Sequence, residues 1–162
     1  MPLCQRLKSF LDDHHVHYTV TVHTPAYTAQ RVAERAHVHG EKMVKPVMVR
    51  IDGEHTMVVT TANDRIDVSK LRTALHAHDA VLEHEREFAG LFRDCDLGAM
   101  PPFGNLYGMA VYACGSLAEQ AEIAFNAGRH TEIITMRYAD FERLVRPRVA
   151  QFARHRTRER ED

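Results

Sequence analysis

The chain has 162 residues, of which 44% are hydrophobic and 27% charged, and its formal net charge is -1. This length suits one globular domain, and no apolar run reaches the ~20 residues needed to span a bilayer. Because the first residues also lack the layout of a signal peptide, we expect a cytoplasmic protein with no membrane partner. The near-neutral charge argues against indiscriminate coating of nucleic acid. Cys4, Cys95 and Cys114 are too widely spaced for a disulfide framework or a CxxC motif.

The first quarter of the chain predicts a helix, a strand and a second helix. Apolar residues at helical spacing predict the first helix, and these are Leu3, Leu7, Phe10 and Leu11. Residues 18–22 alternate between apolar and polar side chains, as a half-buried strand does. After a break at Pro25, Thr28 is a suitable N-cap for a short helix that Gly40 ends.

A β-hairpin is the clearest structural prediction. Asp52 and Gly53 lie between two β-branched runs, over residues 47–51 and 56–60. Such a pair favours the tight turn with positive φ that joins hairpin strands.

Shorter elements are predicted beyond the hairpin. They are a helix capped by Ser69, a helix around Phe88, strands over 109–113, 122–125 and 132–136, a helix over 138–145, and a last helix from Pro147. Since strands and helices mingle and one connection is a hairpin, we expect an α+β fold. Its predicted architecture is a mixed, largely antiparallel curved sheet surrounded by helices.

Lys45 lies among apolar residues where the first strand of the hairpin begins. A lysine there is partly desolvated and held by a stiff backbone, so its ammonium can pair with a phosphate or a developing oxyanion. The alternative is a strand-edge lysine that protects against aggregation. Both interpretations stay open on the residues alone.

Two loops are candidates for ligand contact. Residues 98–104 contain two glycines and two adjacent prolines, and glycines allow a ligand to approach the backbone closely. Residues 126–130 contain an asparagine and a glycine that suit a turn with positive φ. The alternatives are a rigid connection for the first loop and a plain hairpin loop for the second.

Twelve histidines are present, and some cluster at 14–17 and 76–84. Neither cluster has the ligand spacing of a zinc site such as HExxH, so no metal is predicted. No GxSxG motif occurs, and no serine or cysteine has an obvious histidine partner, so a covalent nucleophile is not indicated. His23, at the end of the predicted first strand, is a candidate for lining a cleft.

Arginines are concentrated near the C-terminus, at Arg143, Arg146, Arg148, Arg154, Arg156, Arg158 and Arg160. Such a cluster is typical of phosphate-backbone contact. Interspersed glutamates favour a solvated helix face with a frayed end, although contact with RNA stays open. We divide the chain into a domain over 1–152 and a charged tail over 153–162.

Four segments, in this order and at these intervals, resemble the family of YbaK-like, prolyl-tRNA-synthetase-associated editing domains. They are the sequence His23-Thr24-Pro25-Ala26-Tyr27-Thr28-Ala29-Gln30, Lys45, the GxxxPFG loop over 98–104, and Phe125-Asn126-Ala127-Gly128. The resemblance covers roughly residues 3–152 and implies an α+β domain on a mixed, curved sheet. One departure is Pro46, because the relatives commonly have threonine or serine after the lysine.

Members of this family hydrolyse the ester between a wrong amino acid and its tRNA. The resemblance therefore implies a trans-acting aminoacyl-tRNA deacylase without a cofactor, in which Lys45 holds the terminal nucleotide or polarises the ester. The implied substrate contacts are His23, Thr28, Gly98, Ala99, Met100, Pro102, Phe103, Gly104, Asn126 and Gly128. The implied partners are the acceptor end of an aminoacyl-tRNA and, as a further candidate, an aminoacyl-tRNA synthetase.

Three other functions stay open on the residues. A binding module would use the same lysine and loops to hold an aminoacyl or nucleotide end without turnover. A metal-dependent hydrolase would use the histidine clusters. An interaction domain would depend on the arginine-rich tail.

Overall fold

The computed structural model describes residues 5–155, with only the backbone of His155. Within that range the helices are α1 (Gln5–Asp13), α2 (Ala29–Arg35), α3 (Val68–Ala74), α4 (Glu85–Phe88), α5 (Gly115–Ala118) and α6 (Tyr138–Val145). Short 3-10 helices cover Ala89–Leu91 and Gly104–Tyr107. Helix α1 buries Leu7 and Leu11, as its spacing predicts. None of the helices among residues 5–155 is long and apolar enough to cross a membrane.

The strands form two main sheets. They are β1 (Tyr18–Val22), β2 (Val44–Ile51), β3 (Glu54–Thr61), β4 (Asp64–Ile66), β5 (Ala80–Leu82), β6 (Val111–Cys114), β7 (Glu122–Asn126), β8 (Glu132–Arg137), β9 (Arg148–Ala150) and β10 (Ala153–His155). One sheet has the order β5-β2-β3-β6-β9 and the other the order β1-β8-β7, while β10 pairs with β4. Only β3 with β6 and β6 with β9 are parallel among these pairs. The predicted α+β fold with a mixed, largely antiparallel arrangement is therefore confirmed.

The predicted hairpin is formed by β2 and β3. Asp52 and Gly53 at its turn have φ values of 49° and 86°, as a tight turn matched to the strand twist requires. Pro46 continues the strand and pairs with Val59. It tolerates this position because β5 pairs with β2 only over Val49–Ile51 and needs no donor from the proline.

A parallel bridge between Met43 and Ala124 joins the two sheets where β2 begins. Helix α2 covers this junction and buries Val32 and Ala33 against it. The main core lies elsewhere and includes Phe103 at its centre. The ring of Phe103 contacts the rings of Phe10, Phe125 and Phe141 at centroid distances of 6.2, 5.5 and 5.5 Å.

Two predictions near helix ends are wrong. The N-cap of α3 is Asp67 rather than Ser69, because the Asp67 Oδ1 accepts from the main-chain nitrogen of Lys70 at 3.1 Å. The helix predicted from Pro147 does not form. Arg146 adopts a left-handed conformation, with φ of 53°, and ends α6.

The residues after Pro147 form strands instead of the predicted helix. Strand β9 extends the five-stranded sheet in parallel with β6, and β10 pairs with β4. Arg154, placed on the solvated tail by the sequence, lies in β10 and bonds Asp67 at 2.6 Å. The predicted tail residues Arg156, Arg158 and Arg160, like Leu3 and Cys4, lie outside the described residues.

Candidate functional site

Lys45 is the second residue of β2 and lines a cavity of about 120 Å³. The other residues lining it are Thr28, Ala29, Gln30 and Ala62. Thr28 is the N-cap of α2, as predicted, and its Oγ1 accepts from the main-chain nitrogen of Arg31 at 3.2 Å. The cap fixes the first turn of α2, which therefore forms one wall of the cavity.

The main chain of β4 holds the Lys45 ammonium. Its Nζ donates to the carbonyl oxygen of Asp64 at 3.0 Å. Asp64 is buried, and its Oδ2 accepts from the hydroxyls of Thr61 at 3.0 Å and Ser116 at 2.9 Å. A buried carboxylate that is hydrogen-bonded in this way stays in place, so the carbonyl that holds the lysine is fixed as well.

Sequence reasoning missed Asp64, Thr61 and Ser116. Lys45 and Asp64 are 19 positions apart, and Ser116 and Asp64 are 52 apart. No local spacing signals such contacts. The only available hint is that Asp64 follows an asparagine at the end of a strand, which is typical of a turn.

The two candidate loops are bound to each other through their main chains. The nitrogen of Asp96 donates to the oxygen of Gly128 at 2.7 Å, and the nitrogen of Gly128 donates to the oxygen of Ala99 at 2.9 Å. Gly98 and Gly128 have φ values of 86° and 93°, a left-handed conformation that glycine adopts without strain. The structure therefore brings the predicted residues Gly98, Ala99 and Gly128 together.

The segment before α2 joins this pair of loops through His130. The main-chain nitrogen of Ala26 donates to the oxygen of His130 at 3.3 Å. The His130 side chain donates through Nε2 to the oxygen of Leu97 at 2.8 Å, since a carbonyl only accepts. His130 thus links three segments that are distant in sequence, a role that no local pattern indicates.

His23 and Asn126 supply two buried acceptors to the same region. The Nδ1 of His23 lies 2.7 Å from the oxygen of Thr24, so Nδ1 carries a proton and Nε2 of the neutral ring has a free lone pair. Neither His23 Nε2 nor Asn126 Oδ1 has a hydrogen-bond partner within residues 5–155. Buried acceptors of this kind are costly unless a ligand or water satisfies them.

The sheets place these acceptors on the same side. Met43 and Ala124 form the bridge between the sheets, and Lys45 and Asn126 each lie two positions further on. Side chains two apart on a strand share a face. Asn126 and Lys45 therefore lie on the face that α2 covers.

Most of the GxxxPFG loop is buried rather than open to a ligand. The buried predicted residues are Ala99, Met100, Pro102, Phe103 and Gly104. A Cβ on Gly104 would lie 2.9 Å from side-chain carbons of Met109 and Val111. This part of the loop packs into the core and supports the exposed Gly98.

The thiol nearest this network is that of Cys114, whose Sγ lies 3.3 Å from the Ser116 Oγ. Burial raises the pKa of the Cys114 thiol, so the neutral form predominates and its nucleophilicity is low. No three His, Cys, Asp or Glu side chains of the described part gather as metal ligands. The chemical resources of the site are therefore an anchored ammonium, main-chain groups and buried acceptors.

Residues 23–144 match the family model of the aminoacyl-tRNA editing domain. This fold, with an anchored lysine beside a small cavity, is thus that of an editing domain. The chain belongs to the aminoacyl-tRNA editing domain family, as its sequence motifs predicted.

Individual relatives agree with this assignment. The chain is 26% identical over 155 residues to the multifunctional Ser/Thr-tRNA deacylase ProXp-y of Escherichia coli K12, covering 93% of this chain and 92% of that protein. A crystal structure assigned as a trans-editing enzyme for prolyl-tRNA synthetase superposes with a TM-score of 0.79 at 17% identity, over 95% and 98% of the two chains. A hypothetical protein superposes with a TM-score of 0.82 at 14% identity, over 93% and 100%. At these identities the two structures show a shared fold.

Proposed function

We propose that this protein is a trans-acting aminoacyl-tRNA deacylase that hydrolyses the ester of a small, wrongly attached amino acid. The observation that carries the proposal is the anchored ammonium of Lys45 beside a cavity of about 120 Å³, in a chain of the editing family. Sites for drug-sized ligands enclose roughly 300–1,000 Å³. A cavity this small suits a short aminoacyl side chain.

The chemistry needs few protein groups. Water attacks the ester carbonyl, an oxyanion forms, and the ribose oxygen leaves with a proton, giving free amino acid and tRNA. A fixed cation beside the developing oxyanion or the terminal phosphate stabilises the transition state more than the ground state. In this proposal Lys45 supplies that cation, while the main chain at Gly98 and the acceptors of His23 and Asn126 orient the aminoacyl group and the water.

Such an activity has a physical reason. One methylene more or less changes binding to a synthetase by only ~1–3 kcal/mol, so small amino acids are confused and a second, hydrolytic sieve is needed. The Escherichia coli relative is named for Ser/Thr-tRNA deacylation. Seryl- and threonyl-tRNA are accordingly the first substrates to test, with alanyl- and cysteinyl-tRNA beside them.

The test measures amino acid released from each mis-charged tRNA by the wild type and by Lys45→Ala. We expect release of at least one small amino acid, reduced on the order of 100-fold in Lys45→Ala because one transition-state contact is lost. Lys70→Ala, which changes an exposed lysine on α3, is the matched control and should match the wild type. Circular dichroism verifies that each variant is folded.

Two outcomes would contradict the proposal. Tight binding of the acceptor end with no release from any substrate would make the protein a binding module. Equal release by the wild type and Lys45→Ala would remove the lysine from the reaction.

A further inference from the structure

Tyr27 is an exposed aromatic residue in a fixed position. Its side chain is among the most exposed of the large apolar residues, at 71%. Its ring lies 4.7 Å from the ring of His130 at a tilt of 52°. The hydrogen bond from Ala26 to the oxygen of His130 holds the preceding residue, and Thr28 caps α2 directly after it. The ring is therefore presented to solvent from a fixed backbone.

His130 is itself held from two sides. Its Nε2 donates to the oxygen of Leu97 at 2.8 Å, and its main-chain nitrogen donates to Asp96 Oδ2 at 3.4 Å. The partner ring of Tyr27 is thus anchored to the loop before Gly98. One face of Tyr27 is backed by a fixed ring, which suits a stacking surface.

This ring stands at the mouth of the Lys45 cavity. Thr28, Ala29 and Gln30 line that cavity, and the Cα atoms of Tyr27 and Thr28 are about 3.8 Å apart, as across any trans peptide. In an aminoacyl-tRNA the terminal base is bonded to the same ribose that carries the ester. When the ester lies beside Lys45, this base must lie at the cavity mouth.

Positive charge continues from the mouth along α2. Arg31 and Arg35 are exposed and four positions apart, so they lie on one face of the helix. Arg35 Nη1 also donates to Thr24 Oγ1 at 3.0 Å, which holds its guanidinium beside the segment that carries Tyr27. An aromatic ring followed by arginines is the combination with which proteins bind unpaired nucleotides, through base stacking and phosphate contact.

We propose that Tyr27, backed by His130, is a stacking platform for a nucleobase of the unpaired acceptor end, with Arg31 and Arg35 as phosphate contacts. This inference rests on the proposed function and adds to it the part of the tRNA that is recognised beside the ester. Stacking accepts any base, so the platform supplies affinity and placement rather than base specificity.

The test is a fluorescence titration with an uncharged RNA hairpin that has an unpaired 3′ end, with 2-aminopurine as the last base. Stacking on an aromatic ring quenches this base. We expect saturable quenching by the wild type and by Tyr27→Phe. Tyr27→Ala should lose the quenching and bind about 5- to 150-fold more weakly, the range that base stacking on aromatic side chains covers.

Leu82→Ala is the matched control, because Leu82 is also an exposed apolar residue, at 47%, but lies on β5 in the other sheet. It should bind and quench as the wild type does. Undiminished quenching and affinity in Tyr27→Ala would overturn the platform.

The titration fails separately from the deacylase assay. Amino acid release without Tyr27-dependent quenching would overturn the platform and leave the proposed function intact. Tyr27-dependent quenching without release from any tRNA would support the platform and contradict the deacylase.

Discussion

Asp64 serves two sets of neighbours with two different groups. Its main-chain oxygen accepts from the Lys45 ammonium, while its carboxylate accepts from Thr61 and Ser116. The hydroxyls therefore act on the lysine through the backbone of Asp64. Thr61 and Ser116 are positioning residues in the proposed reaction, and their removal should affect turnover more than substrate affinity.

Thr61→Val tests this positioning, because valine keeps the shape of threonine and removes the hydroxyl. We expect kcat to fall on the order of 10-fold with KM nearly unchanged, since a hydrogen bond to a charged group contributes about 1.5 kcal/mol or more. Thr61→Ser restores the hydroxyl and should recover most of the activity. The measurement is steady-state deacylation well below the unfolding temperature.

Thr56→Val is the control for Thr61→Val. Thr56 is also buried on β3, but its hydroxyl donates to the main chain of Glu54. A rate in Thr61→Val equal to that of Thr56→Val would show that the Thr61 hydroxyl contributes to folding alone.

Among the elements, those specified by neighbouring residues were predicted and those specified by distant partners were not. Asp52 and Gly53 define their turn locally, so the β2–β3 hairpin could be predicted. Strand β9 exists because it pairs with β6, more than 30 positions away. Since Pro147 is compatible with a helix start and with extended chain, nothing nearby distinguished the two.

The N-cap of α3 shows how an element depends on pH. Asp67 accepts from the main chain of Lys70 and from Arg154, and these hydrogen bonds, the Lys70 one foremost, hold the pKa of its carboxyl below the usual value. Because the pKa is lower in the folded state, the stability from Asp67 is complete above its unfolded pKa, near 4. It is lost as the pH falls through the folded value.

Asp67→Asn keeps an oxygen that can cap α3 and removes the titration. We expect the unfolding temperature of this variant to fall less between pH 5 and pH 2 than that of the wild type. Thermal unfolding followed by circular dichroism across this range measures the difference. Parallel curves for the two proteins would contradict the role assigned to the Asp67 carboxyl.

Across the whole molecule, the candidate site is assembled from segments that only the fold brings together. Family motifs in the sequence pointed to Lys45, Gly98 and Gly128, and the cavity and loop contacts place these residues in one region. Asp64 and His130, which hold the lysine and the loops, could not be found because their contacts depend on the packing of two sheets. The roles of the individual site residues stay predictions until activity is measured.

The last described strand belongs to this assembly. Strand β10 pairs with β4, which begins at Asp64, and Arg154 bonds Asp67. A chain that ends at residue 152 should therefore unfold at a lower temperature and deacylate more slowly than a chain that ends at residue 155. The matched pair differs only in β10, and equal stability and rates would show that β4 needs no partner strand.

The joints between the site loops use main-chain atoms, at Asp96, Ala99 and Gly128. Every residue type except proline carries these atoms, so evolution can exchange most neighbouring side chains without undoing the joints. This suits a family whose members diverge to about 26% identity and whose pockets must each suit a different amino acid. The architecture separates what must be inherited, a backbone path with glycine at 98 and 128, from what is open to change, such as Met100 and Asn126.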